Sequence, residues 1–172
     1  MNELAITVIG HDRPGIIADV SEILAGLGLN LTDSTMTRLR GHFAMTLVCV
    51  GKPAAGEVEA ALAALTRDGA LVATVRGVQQ ETEPVPTGGH YLVTVHGADR
   101  LGIVAAVSRA LADFGGNVTD LTTRLAGTLY VLLAEIDLPG GTDLDAVRER
   151  LNAVAGTLGI EVALRPSDVD ML

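Results

Sequence analysis

The sequence predicts an α+β protein made of two ferredoxin-like βαββαβ units in tandem, each a four-stranded antiparallel sheet with both helices on one face. Three observations predict it. The frame Gly-x-Asp-Arg-x-Gly-Ile occurs as GHDRPGI at Gly10–Ile16 and again as GADRLGI at Gly97–Ile103, 87 residues further on. In both halves, β-branched strand patterns and helical spacings alternate in the same order. Between the halves lies ETEPVPTGG, Glu81–Gly89, a polar stretch rich in Pro and Gly that reads as a linker. The expected domains are residues 1–80 and 90–172, the second carrying a short C-terminal tail.

The elements follow in order. Leu4–Ile9 is a β-branched strand. Ile16, Ile17, Val20, Ile23, Leu24 and Leu27 recur at helical spacing, and Gly26 and Gly28 supply a stop. Asn30–Leu39 and Phe43–Val50 are strands joined by the turn signal Arg40-Gly41-His42. A second helix lies within the alanine-rich segment Ala54–Asp68, with Val58, Leu62 and Leu65 on its apolar face, and Leu71–Val78 is the last strand. The second half repeats this as a strand (Tyr91–His96), a helix (Ile103–Phe114), a hairpin (Asn117–Leu125 and Leu129–Ile136, around Ala126-Gly127), a helix (Leu144–Leu158) and a strand (Ile160–Leu164).

The two halves also match residue by residue. Gly10, Asp12, Arg13, Gly15, Ile16, Val20, Ser21, Asn30, Thr32 and Asp33 recur as Gly97, Asp99, Arg100, Gly102, Ile103, Val107, Ser108, Asn117, Thr119 and Asp120. Beyond that point the alignment drops one residue, placing Thr37-Arg38 against Thr123-Arg124 and Gly41 against Gly127. The chain is a tandem duplication. With helices on only one face, the other face of each sheet is left open. Apolar residues there need a cover, so a homodimer or a protein partner is expected.

Composition narrows the function. The 172 residues are 48% hydrophobic and 19% charged, enough for a packed core, yet only 2% are aromatic and none is Trp. Val, Ile, Leu and Ala must build the interior, and aromatic platforms for single-stranded nucleic acid are lacking. The net charge is −9 and Lys52 is the single lysine. Nucleic-acid surfaces neutralise phosphates with Lys and Arg, so no direct nucleic-acid binding is expected. Cys49 is the one cysteine and sits in the apolar run FAMTLVCV, which excludes an internal disulfide and reads as a small buried hydrophobe. No signal peptide and no bilayer-length apolar run is evident, so a cytoplasmic protein without membrane contact is expected.

Catalytic and cofactor motifs are tested and fail. Gly10-x-x-x-x-Gly15 is followed by Ile16-Ile17 where a phosphate loop needs Lys and Ser or Thr. Gly26-Leu27-Gly28 follows a helix and enters a strand, the reverse of a dinucleotide fingerprint. Ser21, Ser34, Ser108 and Ser167 lack matched His and Asp partners, and no nucleophile elbow exists. His11, His42, His90 and His96 show no ligand spacing shared by both halves, so neither a metal nor a cofactor is expected. The chain reads as a non-enzyme.

That leaves the repeated loop. Asp12 and Asp99 stand just before a helix, where a carboxylate can cap free N–H groups, and Pro14 suits a first turn. Gly15 and Gly102 are poor helix residues, about 1 kcal/mol worse than Ala. A glycine there could admit another group close to the backbone, and helix N-termini attract carboxylates. Asn30 has two readings, a turn residue tolerating left-handed φ or a binding residue.

The βαββαβ order, the Gly-x-Asp-Arg-x-Gly-Ile loop and the following Asn-Leu/Val-Thr-Asp (Asn30–Asp33, Asn117–Asp120) resemble the ACT domain, a small-molecule-binding regulatory module. Two such copies in tandem resemble the glycine cleavage system transcriptional repressor group. The resemblance implies that amino acids or similar small carboxylates bind at interfaces between ACT domains. It implies backbone contacts from the first βα loop, here His11, Asp12, Arg13, Pro14, Gly15 and Ile16, and Ala98, Asp99, Arg100, Leu101, Gly102 and Ile103. It implies polar side chains at the start of the second strand, here Asn30 and Asp33, and Asn117 and Asp120. In that scheme N–H groups take the ligand carboxylate and Asp33 or Asn30 its ammonium, while Arg13 and Arg100 steer the carboxylate or pair with residues of the Asp33 type. His11 and Pro14 become Ala98 and Leu101, so the halves need not bind alike. The reading is a regulatory protein that senses an amino acid and modulates a partner. The alternative is a ligand-independent interaction module acting on a transcription factor or enzyme.

Overall fold

A computed structural model describes residues 1–79 and 88–167. The linker expected at 81–89 falls outside the described residues except for Gly88 and Gly89, and so does the expected tail beyond residue 167. The chain divides into two compact units, Met1–Thr82 and Glu83–Leu172. The first contains β1 (Asn2–His11), α1 (Ile16–Gly26), β2 (Asn30–Leu39), β3 (His42–Gly51), α2 (Ala55–Thr66) and β4 (Leu71–Val78). The second contains β5 (Gly89–Ala98), α3 (Ile103–Ala112), β6 (Asn117–Ala126), β7 (Leu129–Leu138), α4 (Leu144–Leu158) and β8 (Ile160–Pro166). The sheets have the orders β2-β3-β1-β4 and β6-β7-β5-β8, and the strand pairs are antiparallel. These are the two ferredoxin-like units that the sequence predicts.

The period of two decides which residues enter the core. In β1, Leu4, Ile6 and Val8 point under the helices and are at most 1% exposed, while Thr7 and Ile9 point to the open face. In β3, Phe43, Met45, Leu47 and Cys49 are the buried set. Ile16, Val20 and Leu24 of α1 and Val58 and Leu62 of α2 close that core, spaced by three or four residues. Each fully buried aliphatic side chain contributes about 1.5–3 kcal/mol of transfer free energy. The second core repeats the design with Val93, Val95, Leu132, Ala134 and Ile136 under Ile103, Val107, Val147 and Leu151. Strands run longer than their apolar runs suggest, because the pairing ladder continues past them: Asn2 still pairs with Gly51 and His11 with His42.

One local expectation is corrected. The single-residue gap in the second hairpin is not there. β2 and β6 are both ten residues long, and Leu39 pairs with His42 as Ala126 pairs with Leu129. The offset therefore stays at 87 through both hairpins, and Thr37, not Arg38, is the counterpart of Arg124. Arg38 lies opposite Phe43, on the helix side, whereas Arg124 lies opposite Val131, on the open side. The turns differ instead: Arg40 and Gly41 both take positive φ (50° and 85°), while in the second turn only Gly127 does (63°). Two consecutive positive φ values are the signature of a type I′ hairpin turn.

Cys49 is buried, as its apolar run leads one to expect, and desolvation pushes its thiol pKa up. A raised pKa disfavours the thiolate that reacts with alkylating agents. Iodoacetamide labelling at mildly alkaline pH is expected to be slow in the folded chain and fast in urea; equal rates would show that the site is open.

Candidate functional site

The repeated frame forms the connection from β1 to α1 and from β5 to α3. Its two glycines have separate reasons. A Cβ on Gly10 would lie 2.0 Å from the carbonyl oxygen of Ala70, so the approach of the β4 start demands glycine there. Gly97 packs against Ile160 in the same way, with the nearest atom at 2.9 Å. Gly15 and Gly102 have φ of 87° and 90° and are the residues that cap α1 and α3. Space above them is open, with only the Arg13 Nη1 atom, 3.8 Å away, near Gly15 and nothing near Gly102. Left-handed backbone, not crowding, makes them glycines. They stand at the N-cap rather than inside the first turn, and Pro14 precedes the helix.

Neither Asp12 nor Asp99 caps its helix. Among the described residues no side chain bonds to the first N–H groups of α1 or α3. Elsewhere the chain does cap: Asp143 accepts from the backbone N–H of Asp145 and Ala146 at 3.0 and 3.2 Å at the start of α4. At α2, Glu57 accepts from the N–H of Ala54 at 2.9 Å. That bond leaves the first turn of α2 itself without a side-chain cap, so among the described residues α4 is side-chain capped, while α1, α2 and α3 are not.

The loops differ in their ion pairs. In the first, Asp12 accepts from Arg38 at 3.3 Å and Arg13 donates to Asp19 at 2.7 Å. Arg13 therefore does not pair with Asp33. In the second, Ala106 replaces Asp19 and Leu125 replaces Arg38, so both latches lose a partner. Among the described residues neither Asp99 nor Arg100 forms an ion pair, and Leu101 is fully exposed. Exposed pairs of this kind contribute about 0–1 kcal/mol each, so they bias the first loop rather than lock it.

Beside the second loop lies an open cleft of about 430 Å³, lined by Asp99 to Ala105 and by Tyr130. Sequence reasoning passed over Tyr130. Its backbone pairs directly with Gly97, as Phe43 pairs with Gly10. Two of the chain's four Phe and Tyr residues thus sit opposite the first glycine of the repeated frame. The signal was available, since Phe43 and Tyr130 are 87 residues apart.

The Asn-x-Thr-Asp motif is a β-bulge. Asn30 pairs with Val50 and Asp33 with Val48, leaving Thr32 as the extra residue, and Thr119 repeats this between Val118 and Asp120. The Thr32 hydroxyl donates to the carbonyl of Val48 at 3.2 Å. A spacing of three would put Asn30 and Asp33 on opposite faces of a regular strand; the bulge puts both on the open face. The left-handed reading of Asn30 is overturned, because the positive φ before β2 belongs to Gly28 (74°).

Within one unit the structure does not bring the loop and the Asn/Asp pair together. Asn30 sits level with Glu3, through Val50, and the loop begins at His11, eight residues along β1. At a rise of about 3.3 Å per residue, roughly 26 Å separates Asn30 from the loop and roughly 20 Å separates Asp33, which is level with Ala5 through Val48. The second unit repeats this, with Asn117 level with His90 and the loop beyond Ala98.

Fold and loop together define the class: tandem ferredoxin-like modules with an uncapped helix start after the first strand of each. The ACT domain family model matches residues 2–75 and 90–165, and the chain belongs to this family. Curated relatives include a UPF0237 protein of Methanosarcina acetivorans, 29% identical over 84 residues, covering 48% of this chain and 91% of its own length. The UPF0237 protein MK1213 of Methanopyrus kandleri is 34% identical over 79 residues, covering 45% of this chain and 88% of its own. Each relative corresponds to about half of this chain. Among solved structures, an unknown protein from Galdieria sulphuraria superposes with a TM-score of 0.80 at 27% identity, covering 96% of this chain and 98% of that one. A structure assigned to a glycine cleavage system transcriptional repressor superposes with a TM-score of 0.73 at 21% identity, covering 96% and 97%. Among the described residues no helix is long and apolar enough to cross a membrane.

Proposed function

We propose that this protein is a non-enzymatic regulator that binds an amino acid or a similar small carboxylate at an interface between ACT domains and so modulates a partner protein. The observation that carries this reading is the pair of uncapped helix N-termini behind the repeated loops, each entered through a left-handed glycine with open space above it. Free N–H groups and the helix dipole favour a carboxylate there. The ammonium end falls to the carboxylate and amide on the bulge, Asp33 with Asn30 or Asp120 with Asn117. Because those groups lie at the far end of the same sheet, the ligand bridges the loop of one ACT domain and the bulge of another. Binding then couples ligand to assembly, here expected to be a homodimer, and only a ligand that prefers one assembly state can shift it.

Thermal-shift screening of the proteinogenic amino acids tests this. One or a few are expected to stabilise the chain at millimolar concentration, and Asp120→Ala is expected to weaken binding about tenfold or more, the loss of one charge-assisted hydrogen bond of roughly 1.5–3 kcal/mol. No stabilisation by any of them would sink the proposal.

A second reading rests on the open sheet faces. Ile9, Leu39, Val72 and Val78 are 39–57% exposed on that side of the first sheet. A ligand-independent interaction module would use such a surface. Pull-down with and without amino acids separates the two, since a partner held equally under both conditions favours the module.

A further inference from the structure

We propose that His11 and His42 form a two-histidine chelate for a first-row divalent transition-metal ion of the Cu²⁺, Ni²⁺ or Zn²⁺ class. The two residues are direct cross-strand partners at the last rung of β1 and β3, so their side chains leave the same face of the sheet. Both are exposed, and their ring centroids lie 5.5 Å apart. A metal held about 2.0–2.1 Å from one nitrogen of each ring sits roughly 3.2 Å from each centroid, which allows centroids up to about 6.4 Å apart. The observed spacing corresponds to an N–metal–N angle of roughly 120°, within reach of tetrahedral or trigonal coordination by modest ring rotation.

The backbone holds this pair in place. The N–H of His11 donates to the carbonyl of Ala70 at 2.9 Å, and the N–H of Asp12 donates to the carbonyl of Gly41 at 3.1 Å. His42 directly follows the Arg40–Gly41 turn, whose two positive φ values fix the rung. A chelate whose arms are already opposed loses less conformational entropy on binding. Imidazole suits these ions, and the net charge of −9 draws cations toward the chain. His90 and His96 differ, since each already faces a carboxylate, Asp137 and Glu161. No described group of three or more His, Cys, Asp or Glu side chains is gathered to hold a metal, so water completes the coordination. The second unit has Ala98 and Leu129 at the matching rung, which confines the site to the first. An ion there ties the beginning of the first βα loop to the β2–β3 turn.

The test is calorimetric titration of the full chain with Ni²⁺, repeated with Cu²⁺. One saturating equivalent in the micromolar range is expected, tighter for Cu²⁺ in keeping with the Irving–Williams order. His11→Ala and His42→Ala should each weaken binding at least about tenfold, because removing one arm of a chelate abolishes the intramolecular second contact. His96→Ala should leave it unchanged, and circular dichroism checks that each variant is folded. His42→Gln, which keeps the side-chain size, replaces any alanine variant that does not fold. No saturable binding, retention of binding in either variant, or an equal loss in His96→Ala would overturn the proposal.

Discussion

Gly10→Ala is expected to destabilise the first unit by about 3 kcal/mol or more, at the upper end of overpacking losses. The new Cβ would lie 2.0 Å from the Ala70 carbonyl oxygen and 2.8 Å from the Cα of Leu71, both backbone atoms. Relief requires moving the start of β4, which breaks the Gly10–Leu71 rung and the His11 bond to Ala70. Gly97→Ala is the internal comparison. Its new Cβ would meet a side-chain methyl of Ile160 at 2.9 Å and the Ile160 Cα at 3.1 Å. The φ of 159° is itself rarely adopted by an L residue, so a loss there is expected too, from backbone conformation as well as contact. Urea unfolding, with hydrogen exchange in β1 and β4 to assign the transition, reads the difference. A loss below about 1 kcal/mol for Gly10→Ala would mean that the backbone contact at Ala70 relaxes freely.

Phe43→Ala is expected to cost about 3–5 kcal/mol, the range for emptying a buried aromatic site. Phe43 is 2% exposed and is the largest fully enclosed side chain of the first core in a chain with only two Phe and two Tyr. It lies opposite Gly10, so its removal empties the floor of the βα loop as well as the core. Tyr130 fills the same position in the second unit but is only partly buried and borders the cleft. Tyr130→Ala should therefore destabilise less. Denaturation of both variants gives the rank order, and a reversed order would contradict the burial.

Much of the fold was legible because duplication and period repeat the same physical message. Alternation in Leu4, Ile6 and Val8 and the three-to-four spacing of Ile16, Val20 and Leu24 determine which faces are buried, without reference to neighbours. The missed features all depend on partners distant in sequence. A one-residue gap was inferred because Arg38 and Arg124 are chemically alike, yet ladder register places them on opposite faces. Asp12 and Asp99 looked like helix caps, but the chain reaches α1 and α3 through a left-handed glycine, and no side chain accepts from the helix start.

The sequence by itself determined the duplication, the order of elements, the two cores and the repeated loop, since these follow from local pattern and from comparison of the chain with itself. Only the tertiary structure decided that Asn-x-Thr-Asp is a bulge turning Asn30 and Asp33 to one face. It alone set that pair about 20–26 Å from the loop of the same unit, opposed His11 to His42, and left α1 and α3 without side-chain caps. Strand pairing is the physical reason. A rung joins residues tens of positions apart through backbone hydrogen bonds that carry no side-chain signature, so its consequences appear only when the register is known.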